Sequence, residues 1–233
     1  TGNTVTLSGN DAGSYTYTTL YGGGSNKSGA DVKTDNKLKV TTKDNSTASI
    51  NNFDQMEFEL GSGISSGDTM LRVRAQYATQ VFDWNRVRVT NAETWSGTTG
   101  LNPIRLYTTP GGALLTLNNY DLLKWREVTS DGKVEYGWRA NVTTATPGTP
   151  STVYSVTDIF FDRNQFKGAN KTITVGSGSI LYGGLSTLGN TTTKNTLTLD
   201  GMWFNGNSYG GYTNAEIGDS TDNEVIFKNG AGS

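Results

Sequence analysis

The chain of 233 residues contains no cysteine and no histidine. Their absence excludes disulfides, thiol nucleophiles, Cys-type zinc sites, Ser-His-Asp catalysis and imidazole metal ligands. It does not argue for the cytosol, because a domain of this size can hold its core without disulfides. Apolar residues are thin at 33%, against roughly 45–50% (glycine included) in ordinary globular domains. No apolar run approaches the ~20 residues that span a bilayer, so membrane insertion by this segment is not expected. No signal peptide is visible, and any targeting or anchoring parts are expected to lie outside these residues. No stretch of ten or more residues has a helical period. A net charge of −2 and a pI near 5.2 argue against a nucleic-acid partner.

What the chain does contain is glycine (30 residues) and, more abundant still, threonine. Thr, Val, Ile and Tyr favour strands, and Gly, Asn and Asp favour tight turns. Thin apolar material spread evenly fits a narrow column of core with a large surface. One pattern recurs. Tyr182-Gly183-Gly184 is followed by Asn195-Thr196-Leu197-Thr198-Leu199, and Tyr209-Gly210-Gly211 by Asn223-Glu224-Val225-Ile226-Phe227. Tyr21-Gly22-Gly23 is followed by Asn36-Lys37-Leu38-Lys39-Val40. The Tyr-to-Asn gaps are 13 (195−182), 14 (223−209) and 15 (36−21). Asn3-Thr4-Val5-Thr6-Leu7 reads as the tail of a fourth unit, and both ends of the chain read as cut from a longer array.

Each unit ends in two apolar residues separated by one residue that is polar except at Ile226, the period-2 mark of a strand. Repeats of this length with one strand unit each indicate a solenoid. The glycine pair before each strand is expected to let the chain turn tightly where a side chain could not fit. Between the regular ends, the two-apolar mark continues at Phe58/Leu60, Leu71/Val73, Val87/Val89, Ile104/Leu106, Leu115/Leu117 and Ile173/Val175. Ser130-Asp131-Gly132 signals a hairpin, and the run from Ala145 to Pro150 reads as an exposed loop. The expected fold is all-β: a right-handed parallel β-helix (β-solenoid) over residues 1–233, with a projecting β-hairpin excursion at about 119–150.

On these Tyr-Gly-Gly…Asn-x-Leu-x-Leu units, and on Ile50–Asp54 through Gly67–Leu71, the chain resembles the passenger domains of bacterial autotransporter adhesins. The likeness covers about the first third and the last quarter of the chain. It implies a right-handed parallel β-helix displayed outside a diderm bacterium and anchored in the outer membrane by parts not included here. It also implies adhesion or self-association as the activity. No motif of the protease or lipase subtypes is present.

Glu57 and Glu59 alternate on one strand and would suit acid/base chemistry by spacing. Lys37/Lys39 before them and Arg72/Arg74 after them favour a charge ladder across neighbouring coils. No catalytic residue is therefore assigned. The candidate ligand-binding residues are Arg72, Arg74, Arg86 and Arg88, taken as one basic patch if their coils are adjacent, together with the aromatic Trp125, Trp138, Trp203, Tyr209 and Tyr212. Arginine forks suit acidic glycans or an acidic partner surface, and exposed rings stack on sugars. Trp203 and Tyr209, however, could equally plug the column between coils. Asp31/Asp35 and Asp219/Asp222 lack calcium-loop spacing and read as turn residues; no metal or cofactor is expected. The expected partner is a surface glycan or protein receptor, or a neighbouring copy of the chain. A β-helical polysaccharide-degrading enzyme (such as a phage tailspike domain) and a purely structural stalk are the alternatives.

Overall fold

Strand after strand along the chain sets a buried apolar side chain beside a polar one facing out. In Lys37–Val40, Leu38 and Val40 are buried between the two lysines, and in Gln55–Glu59 Met56 and Phe58 are buried between polar neighbours. This alternation buries one face of a pleated strand and wets the other. The computed structural model describes residues 2–8, 18–74, 80–109, 115–120, 126–146, 153–174, 180–201, 206–214 and 218–229. Its architecture is all-β: among the described residues there are strands, one 3-10 turn at Trp84–Arg86, and sheets built mainly on parallel ladders.

The chain forms two compact units. The first comprises Thr1–Gly97, Asn102–Trp125 and Trp138–Phe161. One of its sheets runs Thr4–Leu7, Lys37–Val40, Gln55–Glu59 and Val87–Thr90, all parallel. Another runs Asn45–Thr47, Thr69–Val73 and Ile104–Thr108, also parallel. The offset between paired positions varies widely, from 18 (55−37, Lys37 to Gln55) to 36 (105−69, Thr69 to Arg105). The parallel pattern then breaks, because Val153–Gln165 lies antiparallel to both Ile104–Thr108 and Leu115–Asn118.

The second unit comprises Thr98–Leu101, Arg126–Gly137 and Asp162–Ser233, and it is far more regular. Asn170, Thr196 and Glu224 stand opposite one another in turn, at offsets of 26 (196−170) and 28 (224−196). Ile180–Ser186 pairs with Asn207–Thr213 at an offset of 27 (207−180), and Thr192–Thr193 with Ser220–Thr221 at 28 (220−192). Leu181, Leu197 and Leu199 form the apolar centre, with Ile173 and Val225 packed on it.

The hairpin expected at Ser130-Asp131-Gly132 is present. Arg126–Val128 pairs antiparallel with the start of Val134–Thr146, and Gly132 takes the left-handed conformation the turn requires. The expected projecting excursion needs correction. Val134–Thr146 is a 13-residue strand that joins the sheet beside Val153–Gln165, and residues 145 and 146 end that strand. A strand so long must pair its backbone groups, and a sheet edge provides the partners. Residues 147–150 of the expected loop lie outside the described residues.

The glycine pairs stand where a side chain could not fit, as expected, but Gly183-Gly184 and Gly210-Gly211 do so in extended strands and not in a tight turn. Tyr182-Gly183-Gly184 and Tyr209-Gly210-Gly211 lie within extended strands, and none of these glycines has a left-handed φ. A Cβ on Gly184 would stand 2.3 Å from the Asn195 side chain, and one on Gly211 would stand 2.5 Å from that of Asn223. In the first unit, a Cβ on Gly23 would meet Asn36 at 2.8 Å. The second glycine of each pair therefore clears room for the asparagine of its own repeat, which follows after a gap of 11 (195−184), 12 (223−211) or 13 (36−23). Each of these asparagines is preceded by a left-handed residue: Asp35, Lys194 and Asp222, with Gly2 before Asn3.

The asparagines form internal amide ladders. Asn195, 1% exposed, donates from Nδ2 to the Phe166 carbonyl at 2.9 Å and to Asn223 Oδ1 at 2.8 Å. Its own Oδ1 accepts the Ala169 N–H at 2.8 Å. In the first unit, Asn3 donates to Asn36 Oδ1, and Asn36 donates to the carbonyls of Val32 and Asn52. Buried amides of this kind stabilise only when fully partnered, and these are partnered by the chain's own repeat.

Candidate ligand-binding face

The carboxylate pair that suited acid/base chemistry is held in a charge ladder. Glu57 lies 2.8 Å from Lys37 and 3.3 Å from Lys39, and Lys39 lies 2.5 Å from Glu59. Partial burial pushes the Glu57 carboxyl up, but hydrogen bonds from Lys37 and Lys39 outweigh it and hold the group below the usual carboxylate value. Hydrogen bonds to Glu59 and Glu57 raise the Lys39 ammonium. The lysine half of the expected ladder therefore stands. On its other side the neighbouring strand is Val87–Thr90, with Arg88 opposite Glu57, and not the strand carrying Arg72.

That difference divides the expected arginine patch. Arg72 belongs to Thr69–Val73 with Arg74 just beyond it, in one sheet, whereas Arg88 belongs to Val87–Thr90 in another sheet of the same unit, with Arg86 ending the 3-10 turn before it. Gln55–Glu59 and Thr69–Val73, successive in sequence, enter different sheets and are not paired with each other. Arg86 is itself neutralised by carboxylates, pairing with Asp35 at 3.2 Å and with Asp54.

Arg72 and Arg74 keep different company. Across their sheet Ser46, Arg72, Thr108 and Asp158 stand opposite one another in turn. Arg105 lies between Thr69 and Phe160 on the two adjoining strands. The Arg105 guanidinium is 5.5 Å from the centre of the Phe160 ring, and that of Arg139 is 5.0 Å from it. Arg105 also pairs with Asp158 at 3.2 Å. Arg74 donates from Nε to Ser46 Oγ at 2.8 Å, and both Arg72 and Arg74 are exposed. Among the described residues, one face thus gathers Arg72, Arg74, Arg105 and Arg139 with the Phe160 ring and Asp158. Two of its arginines were expected as site residues. Arg105, Arg139 and Phe160 were not, although the two-apolar mark at Ile104/Leu106 already turned Arg105 outward.

The aromatic candidates separate by burial. Trp138 is 7% exposed and is a core residue, not a platform for sugar, as are Trp84 and Trp95. Trp95 meets Phe161 edge-on at 6.0 Å, and Trp84 meets Tyr120 at 5.1 Å. Rings that bury large apolar area are worth more in the core than in water. Tyr209 is 37% exposed and packs against the half-buried Tyr212 at 5.1 Å. Trp125 and Trp203 lie outside the described residues.

Two features of the second unit carried no sequence signal. Glu135 is fully buried and accepts from Ser186 Oγ, Asn190 Nδ2 and the backbone N–H groups of Thr187 and Leu188. Burial raises its carboxyl above the usual value even though these donors oppose the shift. It ties the hairpin strand to the 186–190 turn. A cleft of about 250 Å³ is lined by residues including Asn164, Asn170, Lys171 and Tyr182, with the Lys171 ammonium 4.7 Å from the Tyr182 ring centre. Asp31 behaves as a turn residue, its carboxylate accepting the Thr34 and Lys33 N–H groups, which hold it down to about 2. Among the described residues, no group of three or more Asp, Glu, His or Cys could hold a metal ion.

The chain matches no protein-family model, no curated protein and no solved structure.

Proposed function

We propose that the chain is a segment of a right-handed β-solenoid from a bacterial surface protein of the autotransporter adhesin kind, and that it binds without catalysing a reaction. The observation that carries this reading is the second unit's repeat. Three separate parallel ladders share nearly one offset, 26 (196−170), 27 (207−180) or 28 (224−196 and 220−192). Each coil is locked by an asparagine seated against a glycine. A constant offset in several ladders is what stacked coils of one length produce. Right-handed crossovers follow from the chirality of parallel connections, which takes that hand in about 98% of cases.

Such a column offers long, rigid sheet faces for recognition. Ion pairing of Glu57 and Glu59 with lysines supports binding over hydrolysis, since a general acid must be able to give up its proton to a substrate. Beads coated with this chain should adhere to bacterial or host-cell surfaces. Incubation with polysaccharides from those surfaces should release neither reducing ends nor unsaturated products. Product release would favour the degrading-enzyme reading, and failure to adhere would favour the stalk.

A further inference from the structure

We infer that the face carrying Arg72, Arg74, Arg105 and Arg139 is a binding site for a sulfated or carboxylated polysaccharide chain. This rests on the reading of the chain as a binding module and names the ligand class for it. Elsewhere in the same unit, Lys37, Lys39, Lys43 and Arg86 each lie against a carboxylate. On the arginine face, among the described residues, Asp158 is set against Arg105, while Arg72 and Arg74 stand exposed on a protein that is acidic as a whole.

Three of the arginines are also held in place before any ligand arrives. Arg105 and Arg139 rest on the ring of Phe160, and Arg74, exposed at the surface, is held through Nε by Ser46. Holding long side chains in advance lowers the entropy cost of binding. A guanidinium fork matches the two oxygens of a carboxylate or sulfate better than an ammonium does. Neighbouring strands are ~4.8 Å apart, so the four arginines are distributed across the sheet rather than converging on one point. That layout suits charges spaced along a chain rather than a single small anion. A single-stranded nucleic acid would need an open ring face for base stacking, and the Phe160 ring is occupied by cations.

The test is binding to immobilised heparin (sulfated), hyaluronan (carboxylated) and neutral dextran in low salt, with single-stranded DNA as competitor. The native chain should bind one or both acidic polysaccharides, release them as salt rises and ignore dextran. Arg72→Gln/Arg74→Gln and Arg105→Gln/Arg139→Gln should each weaken binding about tenfold or more. Arg86→Gln/Arg88→Gln, just before and within a strand of another sheet, should leave it unchanged. Far-UV circular dichroism and thermal melts establish that each variant is folded, and the exposed Arg72/Arg74 pair keeps the test valid should the Arg105/Arg139 variant unfold. Three results would overturn the inference: no binding by the native chain, equal binding by the Arg72/Arg74 variant, or DNA competing as well as heparin. If the beads still adhere while heparin and hyaluronan fail, the general binding reading survives and only this site falls.

Discussion

Asn195 joins three segments through one amide, accepting from Ala169 and donating to Phe166 and Asn223. Replacing it with alanine strands the Ala169 N–H, while the Phe166 carbonyl keeps the Thr193 N–H at 3.1 Å, so the cost is about 1–3 kcal/mol. Gly184→Ala drives a Cβ into the same amide, since the distance to it is 2.3 Å, and overpacking of that kind costs ~1–3 kcal/mol. The two costs share one space. The double variant should therefore be less destabilised than the sum of the singles, by about 1 kcal/mol or more in urea melts. Strict additivity would show that the glycine is needed for some other reason. The spacing of Tyr-Gly-Gly to Asn and the lack of room at the glycines were legible in the sequence, but the side chain that fills that room was not. One dimension does not show which residue stands against a glycine, and only the position of Asn195 identifies it.

At the scale of the element, the Lys37/Lys39–Glu57/Glu59 ladder was legible because strand alternation puts all four side chains on the same face. Its other neighbour was not, because sequence order does not reveal which sheet the next strand enters. Arg88, and not Arg72, lies beside Glu57 for that reason. The ladder has a defined pH window. Glu57 is lowered, so its contribution is full above the ordinary 4.5 and lost as pH falls through the lowered value. Lys39 is raised, so its contribution is full below the ordinary 10.5 and lost as pH rises through the raised value. Glu57→Gln should cost about 1 kcal/mol at neutral pH. That deficit should shrink as the pH of the melts is taken from about 6 to about 3. A deficit that stayed constant over that range would mean that the substitution acts through packing and not through charge.

At the scale of the whole molecule, the regular repeat and the irregular stretch differ in how far sequence could carry them. In the second unit the ladder offsets of 26 (196−170), 27 (207−180) and 28 (224−196) match the step of 27 (209−182) between Tyr182 and Tyr209. Strand pairing there followed from the text of the chain. In the first unit offsets run from 18 (55−37) to 36 (105−69), and the antiparallel Val153–Gln165 enters without any repeat to announce it. Long-range antiparallel pairing depends on which edge is open, a property of the folded sheet and not of local composition. The arginine face lies in this irregular unit, so its arginines could be recognised singly but not assembled.

The proposed stacking of coils at the repeat's own offset is directly measurable, because the chain contains no native cysteine. Thr196 and Glu224 are paired across the parallel ladder at an offset of 28 (224−196). Facing residues on adjacent strands stand ~4.8 Å apart, within the ~4.4–6.8 Å that a disulfide spans. Under mild oxidation Thr196→Cys/Glu224→Cys should form an intramolecular disulfide in high yield. Thr196→Cys/Lys228→Cys, displaced by about 13 Å along the strand, should not. Closure of the second pair, or failure of the first, would contradict the account.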